Sequence, residues 1–485
     1  MGSIRDETAK GVKWGVMQKL TIQPAQFVLG VILARLVSPA EMGILGLTGI
    51  FFAIAEQLQN FGFGAALIRK QDRTTEDINT VFWFNVSVSF FLSLSLFFLA
   101  PWFAAFFHQP ALVNLTRVSA LLLFLQSTGS VHWTLYTAKR DFKTPAVIGI
   151  VSTLVPMPFT IWAACTGWSY WAPMVQGVLS GFLSLVIVWI VSPWKPRLLF
   201  SGKSFHYFFG FGSRLTLAGM VTTLYVQLRI FIIGKFYSPA ELACFSRGYY
   251  TCSLPMRVVQ EVMGNVTYPI LATVQHDQGR LLGVYRQYIR LTALVIEWSM
   301  ITMAANSRSL VAVLYGDLWL PCVFFVQLLC LGMMFDPLSN INSNLYSVLG
   351  RTDITLKKES ILRVFGVCAM LAGAWFSVAG ICIAGLLTSL FAFSLSLCLT
   401  STICALTMRQ QLRDFVPYLL ISILVNLPSV LLAQTEWAPL AILALGGGSS
   451  LALYILILYL RRDATGRCLW NFLKEQPVLK KLSFK

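Results

Sequence analysis

A chain of 485 residues that is 56% hydrophobic and 12% charged, with a mean hydropathy of +0.71, cannot fold as a soluble globule. Soluble domains carry about 25% charged residues and need them to cover their exterior, so the composition requires an integral membrane protein. The net charge of +17 raises nucleic-acid binding as a class, and the placement of those charges, set out below, excludes it.

The start, MGSIRDETAK, lacks the short apolar core and small-residue cleavage site of a signal peptide, and Asp6 breaks the myristoylation pattern. Apolar runs long enough to cross a bilayer, about 20 residues each, then follow in order: 12–34, 40–66, 80–107, 114–138, 145–166, 170–191, 205–234, 239–270, 283–306, 318–348, 359–378, 380–406, 414–434 and 438–460. The reading is an all-α integral membrane protein of about 14 transmembrane helices. Lys and Arg test that count. With the N-terminus placed inside and the loops alternating, 28 of the 37 basic residues fall on the inner side and five (Arg35, Arg117, Lys235, Arg247, Arg308) on the outer. Cytoplasmic loops hold the basic excess, so both termini are predicted to be cytoplasmic. The positive charge is then a topology signal and a contact with anionic headgroups.

Ten cysteines occur, most of them inside apolar runs and none in a CxxC pair. They are expected to be small buried hydrophobes, neither disulfide-bonded nor metal-bound. The four histidines show no metal-ligand spacing, and His132 has no acidic partner in sequence.

A phrase is written twice. VILARLVSPAEMG at 31–43 returns as FIIGKFYSPAELA at 231–243, with SPAE at Ser38–Glu41 and Ser238–Glu241. Six predicted spans separate the copies, so both turns face the same side. The spacing predicts two parallel six-helix bundles, residues 1–200 and 201–406, around a central cavity, with an extra helix pair and basic cytoplasmic tail over 407–485. Parallel repeats of this kind are a transporter architecture.

Four cations, Lys19, Arg214, Arg229 and Arg257, fall within spans. A charge at mid-membrane is costly and usually faces protein or water. On the first helix Lys19, Gln23 and Gln26 share a face; on the eighth, Arg257 and Glu261 share one. Lys19, Gln23, Gln26, Arg214 and Arg257 are candidate ligands for a phosphate-bearing glycan, because cations attract phosphate and amides bond sugar hydroxyls. Arg214 also fits a residue reaching the headgroups, Arg229 one reaching the outer interface, and Arg257 a self-neutralising pair with Glu261. Glu56, Glu261, Glu297 and Asp336 are candidate carriers of a coupling proton or sodium ion, with nothing in the sequence to choose among them. No cofactor or metal is expected. Pro24, Pro255 and Pro269 are predicted to interrupt helices as hinges.

The stretches LARLVSPAEMGILGL, NFGFGAALIRKQD with NTVFWFN, FGSRLTLAG, IGKFYSPAELACFSRG, VTYPILATVQHD and VLGRTDI resemble the bacterial polysaccharide flippases. The likeness is to the colanic-acid-exporter-like, or lipopolysaccharide-biosynthesis, branch of the multidrug/oligosaccharidyl-lipid/polysaccharide exporter superfamily, and runs from about residue 10 to about residue 365. It implies twelve core helices in two bundles plus a terminal pair, in the bacterial inner membrane. It implies a non-enzymatic cargo carrier that moves an oligosaccharide linked through pyrophosphate to undecaprenol for surface polysaccharide assembly, with a polysaccharide polymerase and export machinery as candidate partners. A cavity-facing role carries over to Lys19 and Arg257, and to Arg214. The alternatives are a multidrug exporter of the same superfamily, for which an acid-lined cavity is expected, and a membrane glycan polymerase, ligase or acyltransferase.

Overall fold

The computed structural model describes residues 2–404, 406–461 and 465–466. Most of the predicted basic tail lies outside the described residues. Among the described residues the chain forms eighteen α-helices, one 3-10 helix and no strand. Eleven segments are long and apolar enough to cross a membrane. Three further helices, Leu112–Ala138, Pro239–Thr273 and Thr352–Ala374, are long enough but more polar.

Contacts group the chain into two compact units, Met1–Ala243 and Cys244–Lys485. The first contains α1 (Gly2–Leu36), α2 (Pro39–Asn60), α3 (Phe63–Arg69), α4 (Thr75–Phe106), α5 (Leu112–Ala138), α6 (Lys143–Leu154), α7 (Pro156–Cys165), α8 (Trp171–Val191) and α9 (Gly202–Phe236). Helix α10 (Pro239–Thr273) begins in the first unit and continues into the second. The second unit holds α11 (Gln278–Ala305), α12 (Ser307–Tyr315), a 3-10 turn (Asp317–Cys322), α13 (Val323–Met333), α14 (Asp336–Val348), α15 (Thr352–Ala374), α16 (Val378–Ile403), α17 (Met408–Leu432) and α18 (Pro439–Leu460).

Three predicted spans are broken; the tenth, 318–348, divides into the 3-10 turn, α13 and α14, and the other two break for local reasons. The second splits into α2 and α3 because Phe61 and Gly62 take positive φ, 31° and 64°. Gly62 also meets Gly212 of α9 so closely that a Cβ would lie 2.9 Å from the Gly212 carbonyl oxygen, which only glycine tolerates. The fifth splits at Val155, where Pro156 starts α7 and its missing N–H cannot continue the ladder. The hinge prolines do the opposite of what was expected. Pro24 lies inside a continuous α1, and Pro255 and Pro269 inside a continuous α10. Each removes one backbone hydrogen bond without ending its helix.

The repeated phrase is a repeated helix start. At α2 the Ser38 N–H donates to Glu41 Oε2 at 3.0 Å and the Glu41 N–H to Ser38 Oγ at 3.4 Å. At α10 the Ser238 N–H donates to Glu241 Oε2 at 3.0 Å and the Glu241 N–H to Ser238 Oγ at 3.2 Å. Both are capping boxes with proline at the first helical position. Serine, proline and glutamate at this spacing each answer an unsatisfied N–H of the helix's first turn.

The family-like stretch NTVFWFN also has a structural task. Asn79 Oδ1 accepts the Arg197 N–H at 2.6 Å, Thr80 Oγ1 accepts the Ser201 N–H at 3.0 Å, and Trp83 Nε1 donates to the Arg197 carbonyl at 2.8 Å. One turn and a half of α4 thus pins the α8–α9 connection. Beneath it Phe63, Leu67, Val81, Phe82, Leu135 and Phe208 form a buried core shared by α3, α4, α5 and α9.

In the second unit a disulfide joins Cys244 to Cys322, contrary to the expectation of free cysteines. The two lie 78 positions apart, a pairing that spacing alone does not signal. Two helical turns along each chain segment, Cys252 and Cys330 bring their sulfurs to 3.3 Å as thiols.

Candidate functional site

The sequence-predicted ligands share one property. Lys19, Gln23 and Gln26 on α1, Arg214 on α9 and Arg257 on α10 are all exposed. None is sealed into the core of its own unit. Spacing puts 19, 23 and 26 on one face of α1, so that helix presents a cationic and amide stripe. Arg229 is half-buried. Helix α9 is positioned against α2 by a close fit, with the Gln57 side chain lying over Gly219 and Gly212 lying under Phe61 and Phe63.

The four candidate coupling acids differ sharply. Glu56 and Glu261 are exposed. Asp336 is half-buried and accepts a hydrogen bond from Ser389 Oγ at 3.1 Å. Glu297 on α11 is 0% exposed, and neither carboxylate oxygen has a hydrogen-bond partner.

Three polar arrangements were not foreseen. Arg286 and Arg290 of α11 converge on Asp414 of α17, at 2.6 and 2.5 Å, with the aspartate 2% exposed. Lys358, read from sequence as a cytoplasmic loop cation, is 2% exposed inside the second unit. Its ammonium donates to Ser343 Oγ at 2.7 Å, and to the Ser339 carbonyl and Ser396 Oγ at 3.3 Å each. Asn342, one residue before Ser343 on α14, accepts from Tyr285 and Thr400 at 2.8 and 2.7 Å, so a polar network links α11, α14, α15 and α16. The serine spacing 339, 343 on α14 is the one sequence signal for it, since positions four apart share a face. Third, the Arg247 guanidinium lies 5.8 Å from the rings of both Tyr315 and Trp319, and Tyr315 shares a 2.6 Å hydrogen bond with Thr251. This cluster adjoins the Cys244–Cys322 bridge along α10.

In the first unit Lys70 donates to Asp77 Oδ2 at 2.7 Å and lies over the Tyr207 and Phe208 rings. That hydrogen bond raises the Lys70 ammonium above the ordinary lysine range. Asp77 also closes the capping box with Thr74 that starts α4. His132 is buried, with Nδ1 2.7 Å from Ser192 Oγ. No group of three or more metal-ligating side chains occurs among the described residues.

A family model described as "Polysaccharide biosynthesis protein" matches residues 32–324. The teichuronic acid biosynthesis protein TuaB of Bacillus subtilis is 23% identical over 385 residues, 78% of this chain and 80% of that protein. Among solved structures, the lipid II flippase MurJ in an inward closed conformation superposes with a TM-score of 0.71 at 13% identity, over 92% of this chain and 99% of that one. An inward-facing multidrug resistance MATE family transporter of the MOP superfamily superposes with a TM-score of 0.61 at 15% identity, over 80% of this chain and 95% of that one. The fold is therefore the one these membrane proteins share.

Proposed function

The chain belongs to the polysaccharide biosynthesis protein family, and we propose that it is a flippase within it. It moves an undecaprenyl-pyrophosphate-linked oligosaccharide repeat unit across the bacterial inner membrane by alternating access, for assembly of a surface polysaccharide. The observation that carries this reading is the exposure of Lys19, Gln23, Gln26, Arg214 and Arg257 on three helices of 35 residues each, long enough to cross a bilayer. Cations exposed to acyl chains are disfavoured, whereas cations bordering water can hold a diphosphate. Pyrophosphate docks on Lys19, Arg214 and Arg257, the amides of Gln23 and Gln26 bond sugar hydroxyls, and the polyprenyl chain stays in lipid. Cargo drives the cycle only through different affinity for the two access states. The MurJ-like fold and the name of the relative TuaB support the cargo class.

The orientation has two supports. The alternating span count puts 28 of the 37 basic residues on one side, and the same count puts the Cys244–Cys322 pair on the other, which fits an oxidising compartment that sustains disulfides. The test is translocation of a fluorescent lipid-linked oligosaccharide in proteoliposomes of the purified protein. Flipping above protein-free vesicles supports the reading, and none overturns it.

A second reading, export of cationic drugs, has one observation in its favour: Glu56 on α2 and Glu261 on α10 are exposed. A drug-susceptibility panel in a deletion strain separates the two.

A further inference from the structure

Glu297 is a carboxylate with no counterpart in the cargo site. It lies in α11, fully buried, and makes neither a hydrogen bond nor an ion pair with any described residue. The nearest cations on its own helix face are Arg286 and Arg290, and both are engaged by Asp414. Arg290 is seven residues back, about 10.5 Å along the axis.

The partner wall follows from register. Arg290 pairs with Asp414, and Asn426 Nδ2 donates to Thr302 Oγ1 at 3.1 Å; both contacts run between α11 and α17 at a sequence separation of 124. Glu297 therefore lies level with Ile421 and Ser422. Ser422 is fully buried and its hydroxyl has no partner; one turn on, the buried Asn426 leaves Oδ1 without a donor, and Thr292 and Asn306 leave an oxygen each. Trp298, next to Glu297, donates to Ser450 of α18 at 3.1 Å. The unpaired groups are neutral hydroxyls and amide oxygens, and no cation among them is left over to pair with a carboxylate, since both arginines are engaged by Asp414.

An ionised carboxylate in such surroundings has nothing to offset its lost hydration. A neutral carboxylic acid carries no charge to offset, and it has one O–H to donate while retaining an acceptor, so it suits surroundings that hold only neutral polar groups. We propose that Glu297 is a protonation site, holding a proton in the α11–α17–α18 interface of the second unit. A role for that proton in driving transport rests on the flippase reading; the protonation itself does not. The titratable and charged groups on the surrounding elements are Arg280, Tyr285, Arg286, Tyr288 and Arg290 on α11, Arg409, Arg413, Asp414 and Tyr418 on α17, Tyr454 and Tyr459 on α18, Arg308 and Tyr315 on α12, Cys330 on α13, and Asp336 and Tyr346 on α14. Asp414 is neutralised by its two arginines, and the Tyr454 hydroxyl donates to the Leu294 carbonyl at 2.8 Å. The arginine end of this helix face is open, with Arg286 and Arg290 side chains 30% and 39% exposed, so a proton path from that end spans two helical turns.

The test is infrared difference spectroscopy of the full-length protein in lipid nanodiscs, comparing wild type with Glu297→Gln. The expected result is a carbonyl band of a protonated acid at neutral pH that is absent from Glu297→Gln and unchanged when potassium is replaced by sodium. Glu297→Asp keeps the carboxyl and is expected to shift the band, which serves if the glutamine variant folds poorly. Identical spectra of wild type and both variants overturn the proposal, as does a band that sodium removes at constant pH, since the site would then hold a metal cation. A band that behaves as expected in a protein that flips no cargo supports the protonation and counts against the flippase reading alone.

Discussion

Glu241 accepts the backbone N–H of Ser238 at 3.0 Å, the distance at which Glu41 accepts that of Ser38 two hundred residues earlier. The two halves of the sequence thus begin a helix with the same reciprocal cap, and the likeness of the phrases is a likeness of geometry. Loss of a capping side chain costs about 1 kcal/mol. Ser38→Ala and Ser238→Ala should each lower stability by about that amount, read as a fall in the unfolding midpoint in detergent.

Asp414 holds two arginines, and its own burial makes its removal more damaging than that of either cation. Asp414→Ala leaves Arg286 and Arg290 close together without a counter-charge. A fully buried pair broken this way costs about 3–5 kcal/mol; partial exposure of both arginines reduces this to roughly 2–3 kcal/mol. Thermal unfolding of Asp414→Ala against Arg290→Ala checks the order: the aspartate variant should melt lower.

The Lys70–Asp77 pair sets an alkaline dependence. The Lys70 ammonium is raised above its ordinary value by its hydrogen bond to Asp77. Its contribution is therefore complete below the unfolded lysine value and fades as pH rises through the higher folded one. Wild type should lose stability relative to Lys70→Gln only in that alkaline window, and the two pH profiles should run parallel between pH 6 and 9. Profiles that diverge at neutral pH instead would contradict the assignment.

The Cys244–Cys322 bridge closes a segment of 78 residues. Chain-entropy arguments give roughly 4 kcal/mol for a loop of that length. Peptide mapping without reductant should recover the cross-linked pair, with Cys252 and Cys330 alkylated only after denaturation. The Cys244→Ser/Cys322→Ser variant should unfold at a lower temperature and escape further loss on reduction.

The sequence disclosed what depends on composition and local spacing. The helix starts at Pro39, Pro239 and Pro439 fall within one residue of where the apolar runs begin, and the membrane class followed from the shortage of charge. What depends on approach between distant segments was not. Gly62 breaks the second span by its φ and by its fit against Gly212, 150 positions away. Lys358 reads as one more cytoplasmic lysine until α14 and α16 supply the serines that surround it. Cys244 and Cys322 have no spacing motif to announce them. Among the candidate site residues, the exposure of Lys19 and Arg257 accords with a polar face, while the isolation of Glu297 could be seen only once its neighbours on α17 were known.

The central claim is that exposed cations on membrane-spanning helices hold the pyrophosphate of a lipid-linked glycan while it crosses. The most direct measurement is the rate of flipping of undecaprenyl-pyrophosphoryl oligosaccharide in proteoliposomes, for wild type, Lys19→Ala, Arg257→Ala and the double variant at matched incorporation. The account predicts a tenfold or greater loss in each single variant and no flipping in the double. A double variant that flips the cargo at the wild-type rate would contradict it.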